Sequence, residues 1–291
     1  EVDDRALSAI GLKLGQFVSG PAVVDATIMG DGSNVDRASV KADLKNAVAK
    51  LDDASWRKEP GVPAMVNFDV FIQEDGGYRL SDFVLTGEGI SVSGNFTIGT
   101  GGRLIAADFP TVKLGPDNDF SFKAGPAENA ALEMSIRGQR FDARHALGSL
   151  LSGGEELPEE AGSASETSDA ILLEDIALAD PLRRTAFRAD IGTAVGNDGT
   201  RFNNVRLEMV EVDNALWSMD VTAADEEGKP ISFEIGQDGE STRHLRMTSG
   251  DAGAIFRALD FTQSIQGGLL NVTGVYDDSK SGSPLSGTLT I

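Results

Sequence analysis

The chain has no cysteine. That excludes disulfide staples, a thiolate nucleophile and any zinc site built on sulfur. Histidine is nearly absent: His145 and His244 are the only imidazoles. No His-x-x-x-His pair stands ready for zinc, and no Gly-x-Ser-x-Gly elbow carries a nucleophilic serine. Neither a Walker A loop nor a strand–Gly-x-Gly-x-x-Gly–helix unit occurs. Basic residues are scarce, 25 against 46 carboxylates, for a net charge of -21. A nucleic-acid partner needs Lys and Arg clustered against phosphates, so none is expected. The same deficit argues against broad adhesion to anionic headgroups, though not against contact with acyl chains. No apolar run approaches the roughly 18 residues of a membrane-spanning helix.

The chain does have length, glycine and alternation. Its 291 residues suffice for one large or two ordinary domains with a sizeable core. Hydrophobic residues make up 40%, too many for a disordered chain. The 34 glycines punctuate many short apolar runs, the pattern of strands joined by turns.

Asp3–Val18 carries the longest helical pattern, with Leu7, Ile10, Leu14 and Phe17 on one stripe. The polar face of this stretch lacks the basic residues of a peripheral membrane helix. From Pro21 the period becomes two. Val24, Ala26 and Ile28 alternate, Val35–Val40 follows, and Asp43–Leu51 is expected to continue that strand. Val66, Phe68, Val70 and Ile72 form the cleanest strand face, answered after the Asp75-Gly76-Gly77 turn by Tyr78–Leu85. Ile90, Val92, Phe96 and Ile98 alternate again. Leu104–Phe109, Val112–Leu114, Phe120–Phe122 and Leu132, Met134, Ile136 read as further strands. Asp142 can cap a helix over Ala143–Leu151.

Residues 152–168 are small, acidic and aperiodic, a linker between a first β-rich segment (1–151) and a second (169–291). In the second, Ala170–Leu178, Phe187–Ile191, Val205-Leu207-Met209, Leu216–Val221, Ile231-Phe233-Ile235 and Leu245–Met247 are strand-like. Asp251 can cap a helix with Ile255, Phe256 and Leu259 on one face; Leu270, Val272 and Gly274, then Leu289 and Ile291, close the series. The strand–turn rhythm thus ends twice in an Asp-capped helix, the pattern of a degenerate structural repeat.

Candidate chemistry is thin. Asp198-Gly199 and Asp238-Gly239 lack the spacing of an EF-hand and read as hairpin turns. Among 46 carboxylates some pair always suits glycoside hydrolysis, so the pattern carries no information. Asn95-Phe96-Thr97 and Asn271-Val272-Thr273 are formal glycosylation sequons but read as ordinary strand residues. Trp56 and Lys58, in Trp56-Arg57-Lys58-Glu59-Pro60-Gly61-Val62-Pro63-Ala64, admit two readings: a lipid-headgroup contact, or a structural corner whose prolines end strands. The second is favoured.

Several of these runs together resemble the AsmA-like family of bacterial envelope proteins, in particular its larger YhdP-like members. The resemblance rests on Asp251-Ala252-Gly253-Ala254, Phe256-Arg257-Ala258-Leu259, Gly267-Gly268, Leu270, Gly274 and Leu285-Ser286-Gly287-Thr288-Leu289. The Asp43-Leu44 and Trp56–Ala64 runs and Gly138-Gln139-Arg140-Phe141-Asp142-Ala143-Arg144 add to it. It covers most of the chain, from Asp43 to Ile291.

It implies a mainly β fold, an elongated antiparallel sheet wrapped into a taco-like groove with a few short helices. It also implies a non-enzymatic periplasmic segment without cofactor or metal, binding phospholipid for transport between inner and outer membranes. The inner membrane would be reached through an anchor outside this stretch, and envelope proteins would be further partners. A scaffold for outer-membrane protein assembly is the alternative, and a hydrolase with an unrecognised site a third. On the first reading the alternating residues already named, from Val66, Phe68, Val70 and Ile72 to Leu270, Val272 and Leu289, line the groove. The chain begins without Met and stops on a strand-like Leu289-Thr290-Ile291, and it is read as a piece of a longer protein.

Overall fold

The computed structural model describes residues 17–31, 34–127, 132–151, 184–213, 215–239 and 241–291. These are mainly β, as the period-two patterning predicts, with two α-helices among them. Two compact units part near Gly125. The predicted helix over Asp3–Val18 lies outside the described residues except at its end, where Val18 belongs to a short strand. The 152–168 linker and the Ala170–Leu178 strand also lie outside them.

The first unit contains β1 (Val18–Ser19), β2 (Val23–Asp31), β3 (Asn34–Asp43), β4 (Val48–Leu51), β5 (Trp56–Lys58), β6 (Ala64–Ile72), β7 (Tyr78–Gly87), β8 (Ile90–Ile98), β9 (Leu104–Leu114) and β10 (Asn118–Pro126). Strands β2, β3, β6, β7, β8, β9 and β10 lie side by side in that order, each antiparallel to the next. Ala38, Val40 and Ala42 face Val70, Phe68 and Val66 across the β3–β6 ladder, and all six are buried. Beyond β7 the same face continues through Val92 and Ile90 to Val112, Leu114 and Phe120.

Midway along these strands the ladders skip. Phe68 of β6 opposes the extra residue Asp82 of β7, which takes a left-handed φ of 54°. Similar shifts recur between β7 and β8, β8 and β9, and β9 and β10. Each such bulge bends its strand and sharpens its twist. The bends gather Phe68, Phe83, Phe96 and Phe109, with ring centroids 5.9–6.3 Å apart. Gly94 is required here: a Cβ on it would sit 2.5 Å from the Phe109 ring.

The bulges correct one expectation. Leu104–Phe109 and Val112–Leu114 are one strand, not two, because Pro110 falls where the ladder already omits a partner. A second correction concerns Val48–Leu51. It does not prolong β3. The Asp43 carboxylate accepts from the Lys45 amide, and Ala47 N–H donates to the Leu44 carbonyl, so the chain turns away. It then forms a separate three-stranded sheet, β1–β4–β5. Lys58 locks that corner. Its side chain is buried, and its ammonium donates to the carbonyls of Ala47 (2.8 Å), Val62 (3.0 Å) and Glu59 (3.1 Å). Asn118 ties the corner to β10 by donating to the Ala54 carbonyl.

The second unit contains β11 (Leu132–Asp142), α1 (Arg144–Leu151), β12 (Arg184–Val195), β13 (Arg201–Val212), β14 (Ala215–Ala224), β15 (Pro230–Gln237), β16 (Thr242–Ser249), α2 (Ala252–Ala258), β17 (Leu270–Asp277) and β18 (Leu285–Thr290). The eight strands lie side by side in chain order. All pairs are antiparallel except β11–β12, which is parallel. At this one pair β12 begins beside the start of β11 and runs in the same direction, an exception within a sheet that is mostly antiparallel as expected. The run from Arg137 also stays extended to Asp142 before the helix begins at Arg144. Asp142 still serves that helix, accepting from the Arg144 amide and, at 2.5 and 2.9 Å, from its guanidinium.

Helix α2 closes one end of the second unit. The Asp251 carboxylate accepts from the Ala254 amide at 2.9 Å, a cap contributing about 1 kcal/mol. Ala252 and Ile255 bury against Ile231 and Leu270, with Phe256, Leu259 and Ile265 packed around them. Fully burying each large apolar side chain contributes roughly 1.5–3 kcal/mol, so packing rather than propensity holds so short a helix. Asn197 pins its far end through the Ala258 carbonyl.

The Lys58 ammonium is the sole side-chain donor recorded for the Ala47, Glu59 and Val62 carbonyls among the described residues. Lys58→Met keeps the aliphatic stem and removes that donor from all three, although the Glu59 carbonyl keeps the Val62 N–H. Thermal unfolding should show a loss of roughly 3 kcal/mol, while the exposed neighbour Arg57→Met should change little. Equal effects would mean the corner is not held by the ammonium.

Candidate functional site

The ladders of the second unit place apolar side chains in rows. Ile136, Ala189, Leu207, Val221, Phe233, Met247, Val272 and Leu289 are successive partners across all eight strands. The next row, two residues along, is Met134, Phe187, Met209, Met219, Ile235, Leu245, Gly274 and Gly287. Side chains two apart share a face. The residue between them in each strand gives Ser135, Arg188, Glu208, Asp220, Glu234, Arg246, Thr273 and Thr288, every one polar. That face is laced with ion pairs, Arg188 with Glu133 and Glu208, and Glu234 with Arg246.

Burial along the apolar rows is uneven. Met219, Ile235 and Leu245 are buried together, but Leu132, Met134, Ile136, Val205, Leu207, Met209, Phe233 and Val272 are only half-buried. Leu289 is 51% exposed. The rows are bounded at both ends. Toward α2 lie Ala223, Ile231, Ser249 and Leu270. At the other end the partners turn polar: Leu132, Thr185, Glu211 and Leu216 on one side, Gln237, Arg243, Tyr276 and Leu285 on the other.

Arg243 is firmly held. It takes Asp278 in a two-point pair at 2.8 and 2.7 Å, donates to the Leu216 carbonyl and lies 4.8 Å from the centre of the Tyr276 ring. Pairing with Asp278 raises the Arg243 pKa, and the same hydrogen bonds lower that of Asp278. Glu211 is different: among the described residues no ion pair reaches it, and burial pushes its carboxyl above the ordinary glutamate range.

In the first unit the alternating residues sit deeper. Val66, Phe68, Val70, Ile90 and Val92 are buried, Phe96 and Ile98 half-buried, and Ile72 is 39% exposed at its strand end. Lys58 is satisfied by carbonyls and Trp56 is half-buried near Gly115, an arrangement of a structural corner rather than a headgroup contact. His145 lies exposed on α1, and His244 Nε2 sits 3.2 Å from Glu234 on the polar face. Among the described residues no three His, Cys, Asp or Glu side chains gather as a metal site, and no helix is long and apolar enough to cross a membrane.

Glu211 escaped the sequence reading, and Arg243, which beside His244 reads as exposed, is instead largely buried. For Glu211 a signal existed: it continues the alternation Val205-Leu207-Met209 by one more step. Arg243 likewise precedes Leu245 and Met247 by the same period.

No family model, curated protein or solved structure matches this chain.

A raised carboxyl pKa favours the folded state only while the group is protonated. That contribution is whole below the ordinary glutamate pKa and is lost as pH rises through the folded value. Glu211→Gln keeps it at every pH. The variant should melt with the parent in acid and above it near neutrality; a variant that melts lower at neutral pH would show that the ionised carboxylate has a stabilising partner.

Proposed function

We propose that this chain is a non-enzymatic lipid-binding segment of an AsmA-like envelope protein, holding acyl chains along an apolar β-groove. The carrying observation is the pair of apolar rows that cross all eight strands of the second unit while most of their members keep contact with solvent. A sheet face this apolar is ordinarily buried in a closed core. Left partly open, it is the kind of surface that marks a ligand or partner site. The acidic, ion-paired opposite face supports the same reading, because it keeps such a sheet soluble. On this reading phospholipid is the ligand, the groove is the taco-like trough expected from the resemblance, and the setting is the periplasm beside an inner-membrane anchor.

A scaffold for envelope proteins is the second reading. Strand β18 favours it: every residue from Leu285 to Thr290 is exposed at the edge of the sheet, where a client strand could add.

Solvent extraction of purified protein followed by mass spectrometry separates the two. Phospholipid should copurify, and Leu207→Asp should remove most of it while the melting temperature stays within a few degrees, because a charge in an acyl-lined trough costs several kcal/mol of binding. Thr273→Asp, on the polar face, should retain the lipid. A parent protein free of lipid would end the groove reading.

A further inference from the structure

The apolar rows are asymmetric along the strands. One end is sealed by α2, whose Ile255 packs on Ile231 and Leu270 and whose capping Asp251 is occupied by the Ala254 amide. The other end carries two charged side chains on the apolar face, Glu211 and Arg243. Their states differ. Arg243 spends its donors on Asp278 and the Leu216 carbonyl. The Nε–Nη2 edge, the fork that grips an oxyanion at two points, is taken by Asp278. Glu211 directly opposes Thr185 on β12 and Leu216 on β14, with Leu132 of β11 beyond Thr185. None of those three brings a charge. Arg243, which reaches the Leu216 carbonyl, lies at this same end but is paired with Asp278 and lies over the Tyr276 ring; Asp213, two residues beyond Glu211, adds only a further negative charge. The Glu133 and Glu208 carboxylates alternate to the opposite face, where Arg188 holds both.

Resting on the lipid-binding reading above, we propose that Glu211 recognises the polar end of the bound lipid and selects a primary-ammonium head. A chain laid along the strands, across the two rows, has its tail against α2 and its head at Glu211. An ammonium there supplies the donor and the counter-charge that the carboxylate lacks, in a setting screened from water by Met209 and Leu216. The lipid phosphate then points to the solvated rim, since Arg243 is engaged. A glycerol or other neutral head forfeits the charge-assisted bond, and a second negative charge is repelled.

The test uses the full chain and phosphatidylcholine vesicles carrying a trace of one acyl-labelled lipid. That lipid is phosphatidylethanolamine in one arm and phosphatidylglycerol in the other; uptake is read from the label. The parent should take up the ethanolamine lipid about tenfold better, the difference that one charge-assisted hydrogen bond supplies. Glu211→Gln should bring the two to parity at an unchanged or higher melting temperature. Glu208→Gln, on the same strand but the other face, should keep the preference. Acidification should erase the parent's preference as the carboxylate protonates, and this profile decides the matter alone if Glu211→Gln fails to fold. Equal uptake by the parent at neutral pH, or a preference that survives Glu211→Gln, overturns the ammonium assignment and leaves lipid binding standing. No uptake of either lipid overturns both.

Discussion

Side chains alternate along a strand, so a slip of one residue in any ladder would turn a whole strand's apolar set toward water. The rest of this protein depends on that constraint. In the second unit seven successive ladders hold register closely enough that two apolar rows and one polar row persist from β11 to β18. No single strand has enough area to bury a ligand or a core. The continuous apolar face is a property of accumulated register, and the charged ladder on the reverse face reinforces it, because Arg188 meets Glu133 and Glu208 only when both neighbours are aligned.

The two units meet the same problem, an open end of a sheet, with different chemistry. In the first, a three-stranded sheet turns the corner and a buried ammonium satisfies three carbonyls. In the second, a seven-residue helix is wedged over the strand ends by Ile255 and pinned by Asn197. The first solution is polar and depends on geometry; the second is apolar and depends on volume. Both leave the strand faces to do the remaining work.

Much of the strand content was legible because each strand declares its own period. Val66, Phe68 and Val70 sit buried on one face, as do Ile90 and Val92, and Asp251 caps the short helix that its position suggests. What was not legible lies between strands. Nothing local says that Asp43 and Ala47 divert the chain into a second sheet. Bulges at Asp82 and Pro110 shift the alternation by one, so Phe83 joins a face that simple counting from Leu80 denies it. The parallel β11–β12 pair depends on where a long connection ends, which no pattern in either strand records. Glu211 was hidden by abundance: one carboxylate among 46 draws notice only when a ladder places it beside Met209 and Leu216.

The parallel pair also sets an order of events. From β12 to β18 every pairing joins neighbours along the chain, and such pairings close short loops at small entropic penalty. β11 pairs with residues 53 positions further along the chain, Leu132 with Thr185, the largest sequence separation of any strand pairing in the second unit. The meander from β12 onward is therefore the natural nucleus, and β11 the late arrival. Until it docks, the free side of β12 offers Phe187, Ala189 and Ile191 along an unsatisfied backbone edge, a template for the wrong strand as much as for the right one. A nascent chain, emerging with β11 first, must wait for the whole intervening stretch before this edge can be covered.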